Sequence, residues 1–356
     1  MGVEMQSQLS DILQDLDSDP DGTLLKLVDF IKDYSIDKKL RTHALTLAGE
    51  MRAARRSGLD HNFSDDLRTI ADRVKTEQSS PTLDTSLSAR RTAKERFSGR
   101  QIEDRVVAEA KGLGKQFDQF ELKNVDLRLR LGKITGVVGE NANGKTTLFR
   151  MLVGELKQSQ GQLSYPELGA TDPDAINWAD VRRQIAYVPQ SLTAWHGSLE
   201  DNLRFAASSR GITGAANDEA FDYTTTRLGL REYLDRTWHE ISGGYQLRFE
   251  LARALIWRPK LLALDEPLAN LDFKAQLTLL RDVKALARSF SSPIAVVISS
   301  QHLHEVEAVA DDIMFLRRGE VVFYGPISEV GNSRTLNTFE MNVNASVPDI
   351  KAALAQ

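Results

Sequence analysis

The stretch Gly139-Glu140-Asn141-Ala142-Asn143-Gly144-Lys145-Thr146-Thr147 decides how this chain is read. It fits the pattern G-x-x-x-x-G-K-[ST]. Upstream, the apolar run Ile134, Gly136, Val137 and Val138 predicts a buried strand. Downstream, Leu148, Phe149, Met151 and Leu152 predict a helix. Strand, loop and helix in this order make a phosphate cradle, because the loop and the helix N-terminus turn backbone N–H groups and the positive end of the helix dipole towards an anion. Lys145 then reaches the outer phosphates and the Thr146 hydroxyl holds Mg2+, while Gly139, Asn141, Ala142, Asn143, Gly144 and Thr147 complete the cradle. Nucleotide binding is the first expectation.

Working outward, the 356 residues suffice for two domains, one with a substantial core. Charged residues make up 27% and hydrophobic residues 41%, the balance of an ordinary globular protein. With no cysteine there is no disulfide framework and no thiolate metal site. The net charge of −5 gives no electrostatic footprint for nucleic acid, and none is expected as a partner. Apolar runs such as Ile294 to Ile298 fall far short of the ~18 to 20 residues of a membrane-spanning helix. The first residues lack the basic and apolar regions of a secretory signal. A cytoplasmic chain is expected, peripheral to a membrane only through a partner.

Residues 1–76 predict a small all-α domain. Leu24, Leu27, Val28 and Ile31 recur at helical spacing, as do Ile36, Leu40, Ala44, Leu47 and Met51, and again Phe63, Leu67, Ile70 and Val74. Neither His43 nor His61 has a nearby His or Cys to make a metal site, so both read as surface or packing residues. The stretch Thr42 to Glu50 with Arg52, Arg55 and Arg56 resembles the effector-associated helical adaptors of bacterial conflict and signalling systems. Residues 77–104, rich in Ser, Thr, Arg and Lys, predict a linker, with a short helix around Thr92 to Phe97. Residues 105–330 alternate apolar strand-like runs with helical stretches, which predicts an α/β core with parallel strands; residues 331–356 form a short C-terminal tail.

Further motifs follow the phosphate loop in fixed order. Tyr187-Val188-Pro189-Gln190 ends a strand with a polar amide. Ile241-Ser242-Gly243-Gly244-Tyr245-Gln246 runs into an Ala- and Leu-rich helix. Leu261-Leu262-Ala263-Leu264-Asp265-Glu266-Pro267 follows, then Leu268-Ala269-Asn270-Leu271-Asp272. A buried strand ending in Asp265 sets a carboxylate beside Mg2+, a hard cation that takes oxygen ligands. Glu266 points to another side and can orient or deprotonate a water. Ser242 and its two glycines, ahead of a helix, form a second anion cradle.

This set resembles the ATP-binding cassette (ABC) ATPases over the 105–330 region. The resemblance implies an ABC-type P-loop fold, a mixed sheet with a helical subdomain, that binds ATP and Mg2+. It makes Gln190 the Q-loop residue and a further Mg2+ contact, Glu266 the catalytic carboxylate, and Ser242-Gly243-Gly244 the signature loop. That loop covers ATP held by a second cassette, so a homodimer or a paired cassette is implied. Phe117, or its neighbour Phe120, stands where the family stacks an aromatic on adenine. Three positions depart from the family. Ala142 replaces a glycine, so its Cβ is expected to tighten the loop or hold φ below zero. Tyr245 replaces a glutamine. Gln301, in Ser299-Ser300-Gln301-His302, replaces the switch histidine; it can hydrogen-bond but cannot carry a proton, and His302 is expected to face the other way.

Two functions fit. One is the energy-coupling subunit of a transporter whose membrane domains are separate chains. The other is a soluble ATPase switch in a signalling or defence system, whose helical domain recruits an effector protein. Hydrolysis is expected in both, slowed by Gln301.

Overall fold

The computed structural model describes residues 63–77, 105–289 and 292–330, together with helical positions 9–14, 23, 26–28, 30, 31, 40, 43, 44, 46, 47 and 50. Of the linker expected over 77–104, Glu77 ends a helix, while residues 78–104 with the expected short helix, and the tail from 331, lie outside the described residues.

In the N-terminal part, Leu9, Ile12, Leu27, Phe30, Ile31, Leu40 and Leu47 close one apolar cluster with Leu67, Ile70 and Val74 of helix α1 (Ser64–Glu77). These are largely the residues whose three- and four-residue spacing marks helical faces. His43 is exposed, as read from the sequence. Tyr223, from much further along the chain, packs against the same cluster.

Two sheets follow. Strands β1 (Val106–Gln116), β2 (Glu121–Arg130) and β4 (Gln160–Ser164) form an antiparallel sheet in the order β2-β1-β4. The second sheet has six strands in the order β5-β6-β7-β3-β8-β9. Its members are β3 (Ile134–Val138), β5 (Ile185–Val188), β6 (Leu261–Leu264), β7 (Ala295–Ser300), β8 (Asp312–Arg317) and β9 (Glu320–Pro326). All neighbours pair parallel except the closing β8–β9 hairpin.

β3, β6 and β7 are buried along their whole length. Such continuous apolar runs are what a parallel strand covered on both faces requires. The two-residue period of the strand splits them between two cores. Leu261, Ala263, Ala295 and Val297 face the antiparallel sheet and helix α2 (Lys145–Leu152). Leu262, Leu264, Val296 and Ile298 face the opposite core, under the later helices.

Between β4 and β5 runs the short helix α3 (Trp178–Arg182). Between Gln190 and Ser242 run α4 (Leu199–Ser209) and α5 (Ala215–Arg227), with a buried Trp195–Trp238–Phe249 aromatic cluster tying this stretch to α6 (Gly243–Leu255). Helix α7 (Phe273–Ala287) is started by Asp272, whose carboxylate accepts from Ala275 N at 2.9 Å. A final short helix, α8 (Leu303–Val306), follows β7. Among the described residues no helix is long and apolar enough to cross a membrane.

Candidate nucleotide site

The site lies where β3, β5, β6 and β7 all end, because parallel neighbours in one sheet bring their C-terminal ends to one edge. Gly139 N donates to Ser300 O at 3.2 Å, joining the start of the phosphate loop to the end of β7. Three close approaches box the loop in. A Cβ on Gly139 would lie 2.5 Å from Leu316 O, and one on Gly144 would lie 2.9 Å from the Phe120 ring. Asn143 Oδ1 accepts from Arg318 N at 2.7 Å. Gly144, at φ 102, then passes the chain into α2.

Ala142 corrects one expectation. Its φ is +62, not negative, so the loop keeps a left-handed turn and carries the Cβ regardless. That conformation costs an L-residue about 1–2 kcal/mol, which the contacts on either side of it offset.

Lys145 is 4% exposed. Its Nζ donates to Gly139 O at 2.5 Å and Glu140 O at 3.0 Å, and pairs with Glu266 Oε1 at 2.9 Å. The other oxygen, Glu266 Oε2, accepts from Gln190 Nε2 and from Gln301 Nε2, each at 2.9 Å. Lys145, Gln190, Glu266 and Gln301 therefore meet at one carboxylate. A buried carboxylate with a cation and two amide donors is satisfied; alone it would be strongly unfavourable. Glu266 itself sits at φ 47, an uncommon conformation for a non-glycine residue.

Asp265, 1% exposed, is held by two hydroxyls. Ser299 Oγ donates to Oδ1 at 2.7 Å and Tyr187 OH donates to Oδ2 at 3.3 Å. Burial, reinforced by the Asp265 charge, pushes the Tyr187 phenol above its ordinary pKa, so it stays a donor. Ser299 and Tyr187 were not singled out in the sequence; they lie 34 and 78 residues from Asp265, and only the β5-β6-β7 order joins them.

The remaining residues surround this centre. Thr146 is exposed and Thr147 half-buried at the start of α2, and Asn141 is exposed on the loop. His302 is exposed while Gln301 reaches inward, as the alternation of an extended segment requires. Phe117 is 41% exposed, with Lys115 Nζ 5.7 Å from its ring centre, whereas Phe120 is packed against Gly144 and the core. The outer ring with a free face is Phe117. Ser242 caps α6 by position, yet its side chain makes no capping bond. Ser242 and Gly243 are exposed, and a Cβ on Gly244 would lie 3.6 Å from the Leu271 side chain.

Among the described residues no group of three His, Asp or Glu side chains could hold a metal by itself. Asp265, the Thr146 hydroxyl and the Gln190 amide are the oxygen-bearing groups that could hold Mg2+, a cation that keeps several waters and needs few protein ligands.

Comparison with known proteins agrees with this geometry. The family model described as ABC transporter matches residues 122–269. The zinc import ATP-binding protein ZnuC of Halorhodospira halophila is 33% identical over 236 residues, covering 66% of this chain and 83% of the relative. The chain belongs to the ABC transporter ATP-binding family.

A second relative of this ABC protein is the molybdenum import ATP-binding protein ModC of Shewanella sp. (strain MR-4), 32% identical over 223 residues. That match covers 62% of the chain and only 59% of the relative, so the chain spans about three fifths of ModC. In fold, the ABC protein is similar to cbiO1 from Clostridium perfringens, part of the ABC transporter complex cbiONQ, with a TM-score of 0.59 at 23% identity over 65% of this chain and 92% of that one.

Proposed function

We propose that this ABC protein binds and hydrolyses ATP with Mg2+ and serves as the energy-coupling subunit of a transporter whose membrane domains are separate chains. The observation that carries the reading is the convergence of Lys145, Gln190 and Gln301 on Glu266, beside the buried Asp265. Lys145 Nζ meets the Gly139 and Glu140 carbonyls and Glu266 Oε1. A triphosphate in the loop would offer Lys145 an anionic partner stronger than a single carboxylate. Glu266 orients the attacking water and takes its proton, and the Gln190 and Gln301 amides hold the carboxylate in register with the water and terminal phosphate. Thr146, Asp265 and Gln190 would hold Mg2+, which would supply positive charge to offset that of the phosphates.

Gly139, Asn141, Ala142, Asn143, Gly144 and Thr147 supply the loop that cradles the phosphates, and Phe117 stacks on adenine. Ser242, Gly243 and Gly244 close over ATP bound to a second copy, a reading supported by the exposure of Ser242 and Gly243. The ZnuC and ModC relatives are named as import proteins, which favours transport over the signalling alternative. On this reading the chain sits on the cytoplasmic face of a membrane through its partner, and the N-terminal helical cluster is an adaptor. The test is affinity purification of a Glu266→Gln chain with ATP from detergent-solubilised membranes. Recovery of a chain with several membrane spans is expected; recovery of a soluble effector without one would overturn the transport assignment.

A further inference from the structure

Ser299 joins the two acidic residues of the site through a single hydroxyl. It is 0% exposed on β7, between β6 and β3. Its Oγ donates to Asp265 Oδ1 at 2.7 Å and accepts from Glu266 N at 2.8 Å. One hydroxyl has one proton to give and lone pairs to receive, so both bonds are satisfied at once. Glu266 N is a main-chain donor of a residue at φ 47, where the strand can no longer pair it with a neighbour's carbonyl in the regular ladder. The Ser299 oxygen stands in for that missing acceptor. The remaining Asp265 oxygen has Tyr187.

We propose that Ser299 is a positioning residue that fixes the turn from Asp265 to Glu266, so that one carboxylate meets Mg2+ while the other faces the attacking water. The inference rests on the ATPase reading above and adds to it a residue that touches neither nucleotide nor metal. Without the hydroxyl, a buried main-chain N–H loses its acceptor and Asp265 loses a donor that aims it. Both losses fall first on the orientation of the carboxylates, while the phosphate loop keeps its contacts at Asn143 with Arg318 N and at Lys145 with the Gly139 and Glu140 carbonyls. ATP affinity and turnover should therefore separate.

The experiment compares Ser299→Ala, Ser299→Thr and Ser299→Val in the full chain. Thr keeps the hydroxyl and Val has the same shape without it, so a packing fault appears in both and a hydrogen-bond fault in Val alone. Ala and Val are expected to lower kcat by about tenfold to a hundredfold, the range for stranding one buried polar group. In both, the KM for ATP stays within about threefold, a shift worth under one hydrogen bond, and the Mg2+ concentration that half-saturates ATP binding rises. Thr is expected to restore both kcat and Mg2+ dependence. Wild-type-like kcat and Mg2+ dependence in Ala and Val, or equal losses in Thr and Val, would overturn the role. A wild-type chain that binds MgATP without turnover would count against the ATPase reading instead; the Mg2+ dependence of binding in the three variants would still decide the role of Ser299.

Discussion

At the residue scale, Glu266 carries the most tension: it is buried, left-handed in φ, and saturated by three partners. Lys145→Ala removes its only charged partner among them. Loss of one member of a buried pair destabilises by about 3–5 kcal/mol, so chemical denaturation should show a clear drop. The double variant Lys145→Ala/Glu266→Gln should recover most of that stability while ATP affinity remains lost by about a hundredfold, the scale of charge-assisted hydrogen bonds. Retained ATP affinity in either variant would remove Lys145 from the site. Gln301 makes a second prediction. As a neutral amide it donates to Glu266 without titrating. Gln301→His should raise turnover and add a pH limb near the ordinary histidine pKa of about 6.5; a pH–rate profile checks both. Unchanged turnover would mean that Gln301 does not limit the reaction.

At the scale of elements, the β8–β9 hairpin reaches back to the phosphate loop. Lys123 N donates to Gly319 O at 2.8 Å, and Arg318 N donates to Asn143 at the loop. A Cβ on Gly319 would lie 1.9 Å from Glu121 O, and the residue has φ +79. Gly319→Ala must push β2 and the hairpin apart, and a cost of about 2 kcal/mol or more is expected from overpacking and strain together. The checking measurement is the denaturation midpoint with and without nucleotide, and wild-type stability would argue against the contact. The sequence was legible where the information is contiguous. The loop 139–147, the buried β6 run into Asp265-Glu266 and the Ser242-Gly243-Gly244 turn ahead of α6 each declare themselves within about ten residues, the span over which strand, turn and helix patterns act. Contacts set by strand order were not legible: Ser299 and Tyr187 at Asp265, Arg318 at Asn143, and both glutamines on one oxygen of Glu266. The φ of Ala142 was misread for a related reason. Propensity argues against a left-handed alanine, and fixed neighbours on both sides of the loop override it.

At the scale of the whole molecule, the chain holds two unlike half-sites. The phosphate loop opens beside Glu266, while the Ser242 cradle looks outward with open space around Gly243. On the proposed reading a second cassette in head-to-tail contact, such as another copy of this chain, would bring the two kinds of half-site together, with ATP shared between them. Removing the cradle should leave binding of ATP to one copy intact and abolish pairing. The most direct measurement is sedimentation of Glu266→Gln, alone and with MgATP, beside Glu266→Gln/Ser242→Arg. The account predicts a monomer that becomes a dimer only with MgATP, and a double variant that binds ATP and stays monomeric. A Glu266→Gln chain that binds MgATP without dimerising, or a dimer that survives Ser242→Arg, would contradict it.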